Sequence, residues 1–405
     1  MFVKIALRNL SRNSRRTAFS LGVITLGVAI MYLVLGFTGE SIDSTKETLT
    51  STSGAVQIAD ADLFNNTATD YDEYLIDPET RSQVEQMLAE DPRVVAATPQ
   101  LGFSGLIGNQ ESSTLLIGTG VVPGNPIQDY SSVVEVGEPL SSSGEDDSIL
   151  ITRQSAEDLG VDVGDVLNIA TGTVSGSFGA TSVTVSGLVQ INAGGTSQDV
   201  GYVSLHSVQS LLGTDGVERI LVKLRQIEQA EAFAQDFQRK LDEAGIPLDV
   251  RTWKELNPFY DSIRSFWNVF SGFTGVGVFV LVFFSVLEVL TMSFLERTRE
   301  VGSIRAIGTH RAQVFRMFIT EGVVIGLVGG VLGVAAGVGA SALINGVALT
   351  WEPPGAVEPV PLQIKIALSV TVIPFLTAVV STMLSALYPS WTNARRRIVE
   401  ALSHT

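Results

Sequence analysis

Cysteine is absent from the 405 residues, which excludes a disulfide framework and any Cys-ligated metal site. Histidine occurs three times, at His206, His310 and His404, too widely spaced to suggest a His-based metal site or a catalytic triad. No G-x-S-x-G elbow is present. None of the six lysines (Lys4, Lys46, Lys223, Lys240, Lys254, Lys365) follows a glycine, so no G-K-[ST] phosphate loop exists and the chain is not itself a P-loop ATPase. Charged residues are also few, at 17%, and mean hydropathy is positive at +0.31. The expected catalytic, cofactor-binding and metal residues are therefore none.

The charges that do occur are segregated. The stretch Glu40–Asp261 holds 35 of the 42 acids but only 11 of the 26 basic residues, a balance of −24, while the remainder is net basic at +8. One chain addresses two solvents. The large acidic region would repel phosphates, which argues against a nucleic-acid partner. Six Lys against twenty Arg, with many Asp, fits a high-salt organism or simply a soluble acidic domain.

Long uncharged runs are what the sequence has in abundance. Ala18–Phe37, Val323–Leu349 and Ile366–Leu387 carry no charge, and Phe266–Phe294 carries only Glu288. Twenty residues at about 1.5 Å each match a hydrocarbon core of about 30 Å. One ion at mid-bilayer would cost about 2.5–3.5 kcal/mol, so four such runs predict four membrane spans. Lys4, Arg8, Arg12, Arg15 and Arg16 precede the first run. Arg297, Arg299, Arg305, Arg311 and Arg316 follow the second, and Arg395–Arg397 follow the fourth. The positive-inside rule places these thirteen on the cytoplasmic side, with both termini inside and the acidic domain outside. Trp267 and Trp351 fall at outer boundaries and Trp391 at an inner one. The first run is too long for a cleaved signal peptide and lacks an A-x-A site, so it is expected to stay as an anchor. Phe2, Val3, Ala6, Leu7 and Leu10 oppose Lys4, Arg8 and Arg12, the pattern of an amphipathic helix on the inner leaflet.

The acidic region reads as α+β. Ala55–Ile58, Val94–Thr98, Leu115–Ile117, Ile220–Leu224 and Leu248–Val250 are strand-like. Asp77-Pro78 starts a helix that ends near Asp91-Pro92, and Ile227–Ala244 is a helix stopped by Gly245 and Pro247. Between them, after Ser141-Ser142-Ser143-Gly144, come short alternating strands at Ile149–Ile151, Val166–Ile169, Thr181–Val189 and Gly201–Val203, with turns at Gly164-Asp165 and Gly194-Gly195. They predict a β-rich subdomain. Glu145-Asp146-Asp147 reads as a solvated acidic loop rather than a cation site, and Asn65-Asn66-Thr67 as a sequon, glycosylated or plain surface.

The sharpest signal is the connection Glu296-Arg297-Thr298-Arg299-Glu300-Val301-Gly302-Ser303-Ile304-Arg305-Ala306-Ile307-Gly308. It reads as a charged exit from the membrane and then a short helix with Val301, Ile304 and Ile307 along one side. Gly302 and Gly308 would allow close approach or a bend, and Glu296 and Glu300 could lock to Arg299 and Arg305. This E-R-T-R-E-x-G-x-x-R-A-x-G run resembles the signature of the MacB/FtsX-like permeases, the MacB/LolC/LolE-type membrane subunits of ABC transporters. Lys4–Leu10 resembles their basic opening helix. Leu150-Ile151-Thr152 through Val163-Gly164-Asp165 is similar to their outer subdomain, and Pro389–Arg397 with Glu400-Ala401-Leu402 to their tail. Ser303, Thr309-His310 and Ile398 depart from the usual pattern.

The resulting expectation is a membrane α-helical protein with an inserted extracytoplasmic α+β domain. Its parts are a cytoplasmic helix 1–17, spans at 18–38, 266–294, 318–349 and 363–388, and an outer domain 39–265. The outer domain divides into α+β parts at about 50–140 and 216–258 and a β-rich subdomain at about 145–215. A coupling loop 295–317, an outer loop 350–362 and a cytoplasmic tail 389–405 complete the chain. The resemblance implies a permease subunit without its own cofactor, whose separate cytoplasmic ATPase uses ATP-Mg. It also implies a homodimer or a heterodimer with a second permease, and an extracytoplasmic accessory protein. Cargo would be a peptide, lipoprotein, lipid or amphiphilic drug. The alternative is an FtsX-like regulator that activates an external hydrolase. Arg299, Glu300 and Arg305 are expected to dock on the ATPase, with Val301 and Ile304 in its cleft. Gly322, Gly326, Gly330, Gly333 and Gly337, with Gly329, should form a packing face. Glu288, about 12 Å from Glu296 along the helix, should meet protein or water rather than lipid. Helical continuations of the first and second spans into the outer domain would make a stiff stalk.

Overall fold

The computed structural model describes residues 14–65, 67, 73–127, 134–141, 147–189, 200–347, 349–351 and 360–395. The amphipathic opening helix, Asn66, Ser142–Asp146, Gly194-Gly195 and the tail from Arg396 lie outside them. In chain order the elements begin α1 (Ser14–Ser53), β1 (Val56–Ala59), α2 (Pro78–Ala89), β2 (Val94–Gly108), β3 (Ser113–Val121), β4 (Val134–Gly137) and β5 (Ser148–Thr152). They continue with α3 (Arg153–Leu159), β6 (Val166–Gly172), β7 (Phe178–Val189), β8 (Val200–Ser204), α4 (Leu205–Leu212), β9 (Arg219–Leu224), α5 (Ala230–Ala244) and β10 (Asp249–Thr252). The last are α6 (Pro258–Glu296), α7 (Thr298–Ala306), α8 (Arg311–Val347) and α9 (Leu368–Arg395). The described residues fall into two compact units, one of those up to Ser44, those in Ser262–Trp351 and those from Val360 on, the other of those in Thr45–Asp261.

In the first unit α1, α6, α8 and α9 are each long and apolar enough to cross a membrane. Their shared core joins Ile24 and Val28 of α1, Val282, Val286, Leu290 and Phe294 of α6, Phe318 and Ile325 of α8, and Ala378 and Ala386 of α9. Serine hydroxyls fix the register of α9 on α6. Ser381 donates to the Phe279 carbonyl at 2.9 Å and Ser385 to that of Phe283 at 2.7 Å. Inside a bilayer such bonds have no water to compete with them. At one end of the bundle Phe37 meets Trp267 at 5.4 Å and Trp351 at 5.2 Å, edge to face. Nearby, the extended Ile364-Lys365 segment crosses α1, with the Lys365 amide donating to the Gly36 carbonyl and the Ile364 amide to Asn345 Oδ1.

The second unit is built on one sheet that changes character along β2. The strand order β10-β1-β9-β2 is antiparallel and uses Val94–Gln100 of β2. Leu101–Gly108 of the same strand pair with β3 and, in part, with β6. The sequence β2-β3-β8-β5-β7-β6 then returns to β2, which closes a six-stranded barrel. Closure leaves the barrel without an edge. The expected partition at about residue 145 is therefore corrected: the barrel cannot close without β3 and half of β2, and β4 pairs with β7 as well. Strand alternation places Leu101, Phe103, Ile107, Leu167, Ile169, Val183 and Val185 in the interior.

Local chemistry explains the helices beside the open sheet. The Asp77 carboxylate accepts from the Glu79 and Thr80 amides and Pro78 occupies the first turn of α2. α5 buries Ala230, Phe233, Ala234, Phe237 and Leu241, an i, i+3, i+4 stripe in which each Phe contributes about 1.5–3 kcal/mol. Gly245 ends it at φ +70°, a left-handed position. The edge strand β10 is blunted by side chains: Gln238 accepts from the Val250 amide and donates to the Leu248 carbonyl, and Glu255 accepts from the Thr252 amide.

Candidate functional site

The connection between α6 and α8 folds as the short helix α7, and its buried face is Thr298, Val301, Gly302 and Arg305. That spacing, i, i+3, i+4, i+7, is the stripe of a helix lying on its own protein. Val301 joins the core that contains Phe294 and Phe318. Arg299, Glu300, Ser303, Ile304, Ala306 and Ile307 face outward, with Ile304 42% and Ile307 89% exposed. Two expectations are thereby corrected. Val301 does not share a side with Ile304 and Ile307, and neither Val301 nor Arg305 is placed to enter a partner's cleft. Gly302 is buried, and Gly308 turns the chain at φ +111°, where residues other than glycine are strained. Burial, and then the nearby Arg311, pull the Arg305 pKa down from its ordinary value.

The ion pairs also differ from those expected. Glu296 pairs with Arg16 at 2.7 Å, tying the start of α1 to the end of α6. Arg297, 8% exposed, points its Nη1 at both carboxylate oxygens of Glu321, at 3.4 and 3.3 Å, and its Nε at Glu300, at 3.4 Å. Its guanidinium lies over the Phe318 ring at 5.9 Å. Glu321, 3% exposed, was missed in the sequence because it stands just before the uncharged run it belongs to.

The α8 glycines form two rows that face two different helices. A Cβ at Gly322 would meet Ala386 at 2.7 Å, one at Gly326 would meet Thr382 and Val379, and one at Gly330 would meet Phe375 at 2.9 Å, all on α9. One at Gly329 would lie 2.7 Å from Ile24, one at Gly333 2.5 Å from Val28, and one at Gly337 2.8 Å from Tyr32, all on α1. Small residues let helix backbones approach where no hydrophobic drive exists between them. Glu288 has no such burial. It is exposed on α6, and the serine register sets it level with Ser390, between Tyr388 and Trp391, which are themselves exposed. Glu288 therefore lies at the surface of this bundle, at the level of two aromatics of the interfacial type.

Residues 17–240, more than half of the chain, match the MacB-like periplasmic core domain family, and residues 272–397 match the FtsX-like permease C-terminal family. This chain belongs to the MacB/FtsX-like permease family. It is a membrane protein of the ABC transporter permease type with an extracytoplasmic domain. Among curated relatives of this permease is the lipoprotein-releasing system transmembrane protein LolC of Xylella fastidiosa strain 9a5c. It is 25% identical over 343 residues, 78% of this chain and 79% of that one. The macrolide export ATP-binding/permease protein MacB of Chlorobium luteolum is 28% identical over 140 residues, 33% of this chain and 21% of that one. The solved periplasmic region of MacB from Actinobacillus actinomycetemcomitans aligns with 52% of the permease and 94% of its own chain, at a TM-score of 0.35 and 10% identity.

Proposed function

We propose that this permease is the non-catalytic membrane subunit of a complex in which a separate cytoplasmic ATPase docks on the outward face of α7 and drives the extracytoplasmic domain mechanically. Both termini lie in the cytoplasm in this reading, and two permease chains, identical or not, assemble with the ATPases and an extracytoplasmic accessory protein. Arg299, Glu300, Ile304 and Ile307 make the contact, because they are the exposed charged and apolar residues of α7. The cargo is a lipoprotein, peptide, lipid or amphiphilic drug handled at the outer side.

The observation that carries this reading is the helical continuity of α1 through Ser53 and of α6 from Pro258. The last turns of α1 are held in the sheet unit: Lys46 pairs with Glu228, and Gln57 donates to the Ser53 carbonyl at 3.1 Å. At the other entry Trp253 stacks edge to face on Tyr260 at 4.7 Å. A Gly/Ser linker would absorb motion as a coil, and these two connections are helices instead. Inserting Gly-Gly-Ser after Ser44 and after Asp261 should spare ATP hydrolysis by the copurified ATPase and abolish the external activity. Full external activity in the double insertion would reject the mechanical reading.

A further inference from the structure

α7 is joined covalently to α8 only at its far end, through Gly308, Thr309 and His310, and Gly308 is a bend in the left-handed region. A nine-residue helix set between the end of α6 and this bend, and packed on the bundle by one residue of the shared core, Val301, can still tilt when pushed. Core packing of Val301 opposes the tilt, and a directional tie at the α6 end adds to it. Arg297, the N-cap position of α7, makes no capping bond with its side chain and instead reaches across to Glu321 of α8. Glu321 stands ten residues into α8, about 15 Å up the helix from Arg311. α7 is thus held to α8 by the covalent bend, by Val301 in the core it shares with Val314 and Phe318, and by one directional ionic tie.

Stability alone does not account for this arrangement. A buried pair recovers its desolvation cost only partly, and well-packed apolar residues would often serve as well. An ion pair adds what apolar packing lacks, a directional tie that is costly to break because either partner left alone is a buried unpaired charge. The next residue after Glu321 is Gly322, which begins the row on α9, and the row on α1 follows two turns later. Displacement of Glu321 therefore acts on the helix that packs against both neighbours.

We propose that Arg297 and Glu321 are positioning residues that make α7 move as one body with α8, so that a push on α7 becomes a movement of the span. This rests on the reading that α7 receives the ATPase, but the tie itself is testable without that partner. The chain lacks cysteine, so spin labels can be placed at Ser303→Cys and Leu332→Cys, both exposed, without removing any native thiol. In phosphatidylcholine–phosphatidylglycerol nanodiscs the parent should give one narrow distance distribution. Glu321→Gln should widen it at least about twofold, and Arg297→Glu with Glu321→Arg should narrow it again. An unchanged width in Glu321→Gln overturns the proposal. Should Glu321→Gln not fold, Arg297→Met with Glu321→Met is judged instead: a folded chain with a widened distribution supports the tie, a narrow one overturns it. With the cognate ATPase, Glu321→Gln should still copurify while permease-dependent stimulation of ATP turnover falls at least about fivefold, the low end of typical coupling. Stimulation at the parent level overturns the coupling role. If the parent captures no ATPase, the functional reading fails while the distance measurement still decides the tie.

Discussion

Adding one methyl group at Gly333 tests how tightly α8 is held to α1. The new Cβ would stand 2.5 Å from Val28 Cβ and 3.0 Å from the Thr25 carbonyl oxygen. Carbon atoms settle at about 3.5–4 Å, so the two helices must part by about 1 Å or rotate. Val28 cannot yield by itself, because its crowded atom is the β-carbon, fixed to the backbone, and the residue is 1% exposed. Overpacking of this kind costs about 1–3 kcal/mol. Gly339, in the same helix, has nothing within 4 Å of such a methyl, and there alanine should be neutral or gain up to about 1 kcal/mol of helix propensity. Gly330 falls between them, since its neighbour is the ring of Phe375, which can rotate away. Denaturation of purified chains in mixed micelles, followed by circular dichroism, should rank the alanine variants Gly339, Gly330, Gly333 from most to least stable, with about 2 kcal/mol or more across the series. Equal stability of Gly333→Ala and Gly339→Ala would refute the packing argument.

Further outcomes are expected elsewhere. Asp91, buried and bonded to Arg93 at 2.8 and 2.9 Å, is held at about 2, below its ordinary 3.8, first by the Arg93 side chain. A depressed carboxylate contributes its stability above the unfolded value and loses it as pH falls, so protection of the β2 and α5 amides, taken relative to their intrinsic exchange rates, should fall between pH 4 and 2. Asp91→Asn should cost about 2 kcal/mol at neutral pH, and an acid profile unchanged in that variant would remove Asp91 as the cause. Ile307→Asp should abolish copurification with the ATPase while leaving the chain folded; retention of the ATPase would show that α7 docks by another surface. Glu288→Gln should leave ATP turnover and external activity within about twofold of the parent, as a surface carboxylate at an interface requires, and a larger loss would restore a coupling role.

The four apolar helices were legible because exclusion of charge from a long run has few explanations other than lipid. Most strands were legible one by one for a similar reason, period-two alternation bounded by turn residues, whereas β4 and the Leu101–Gly108 half of β2 were not. Their assembly was not. Nothing in Val94–Gly108 marks the change of partner at Leu101, since the same alternation serves an open sheet and a barrel. In α7 the residue types were read correctly but the face was inverted. Val301, Ile304 and Ile307 are a plausible apolar edge on paper, yet the face is set by Thr298, Gly302 and Arg305, two of them polar. Burial of Arg297 goes with its pairing to Glu321, and that of Arg305 with helix packing, both distant in sequence. The glycine spacing foretold close packing, while the division into one row per neighbour needed coordinates.

The pairing of β1 with β10 bears on how the outer domain answers load. β1 follows α1 and β10 precedes α6, and their register sets Val56 opposite Thr252, so both attachments are at the same end of one two-stranded ribbon. Under the mechanical reading, a pull on both ends together would load the ribbon as a unit against β9. Spreading them apart instead peels the ribbon from that end, one bond at a time, and the first to part would be the Trp253 amide to the Ala55 carbonyl, 3.0 Å long.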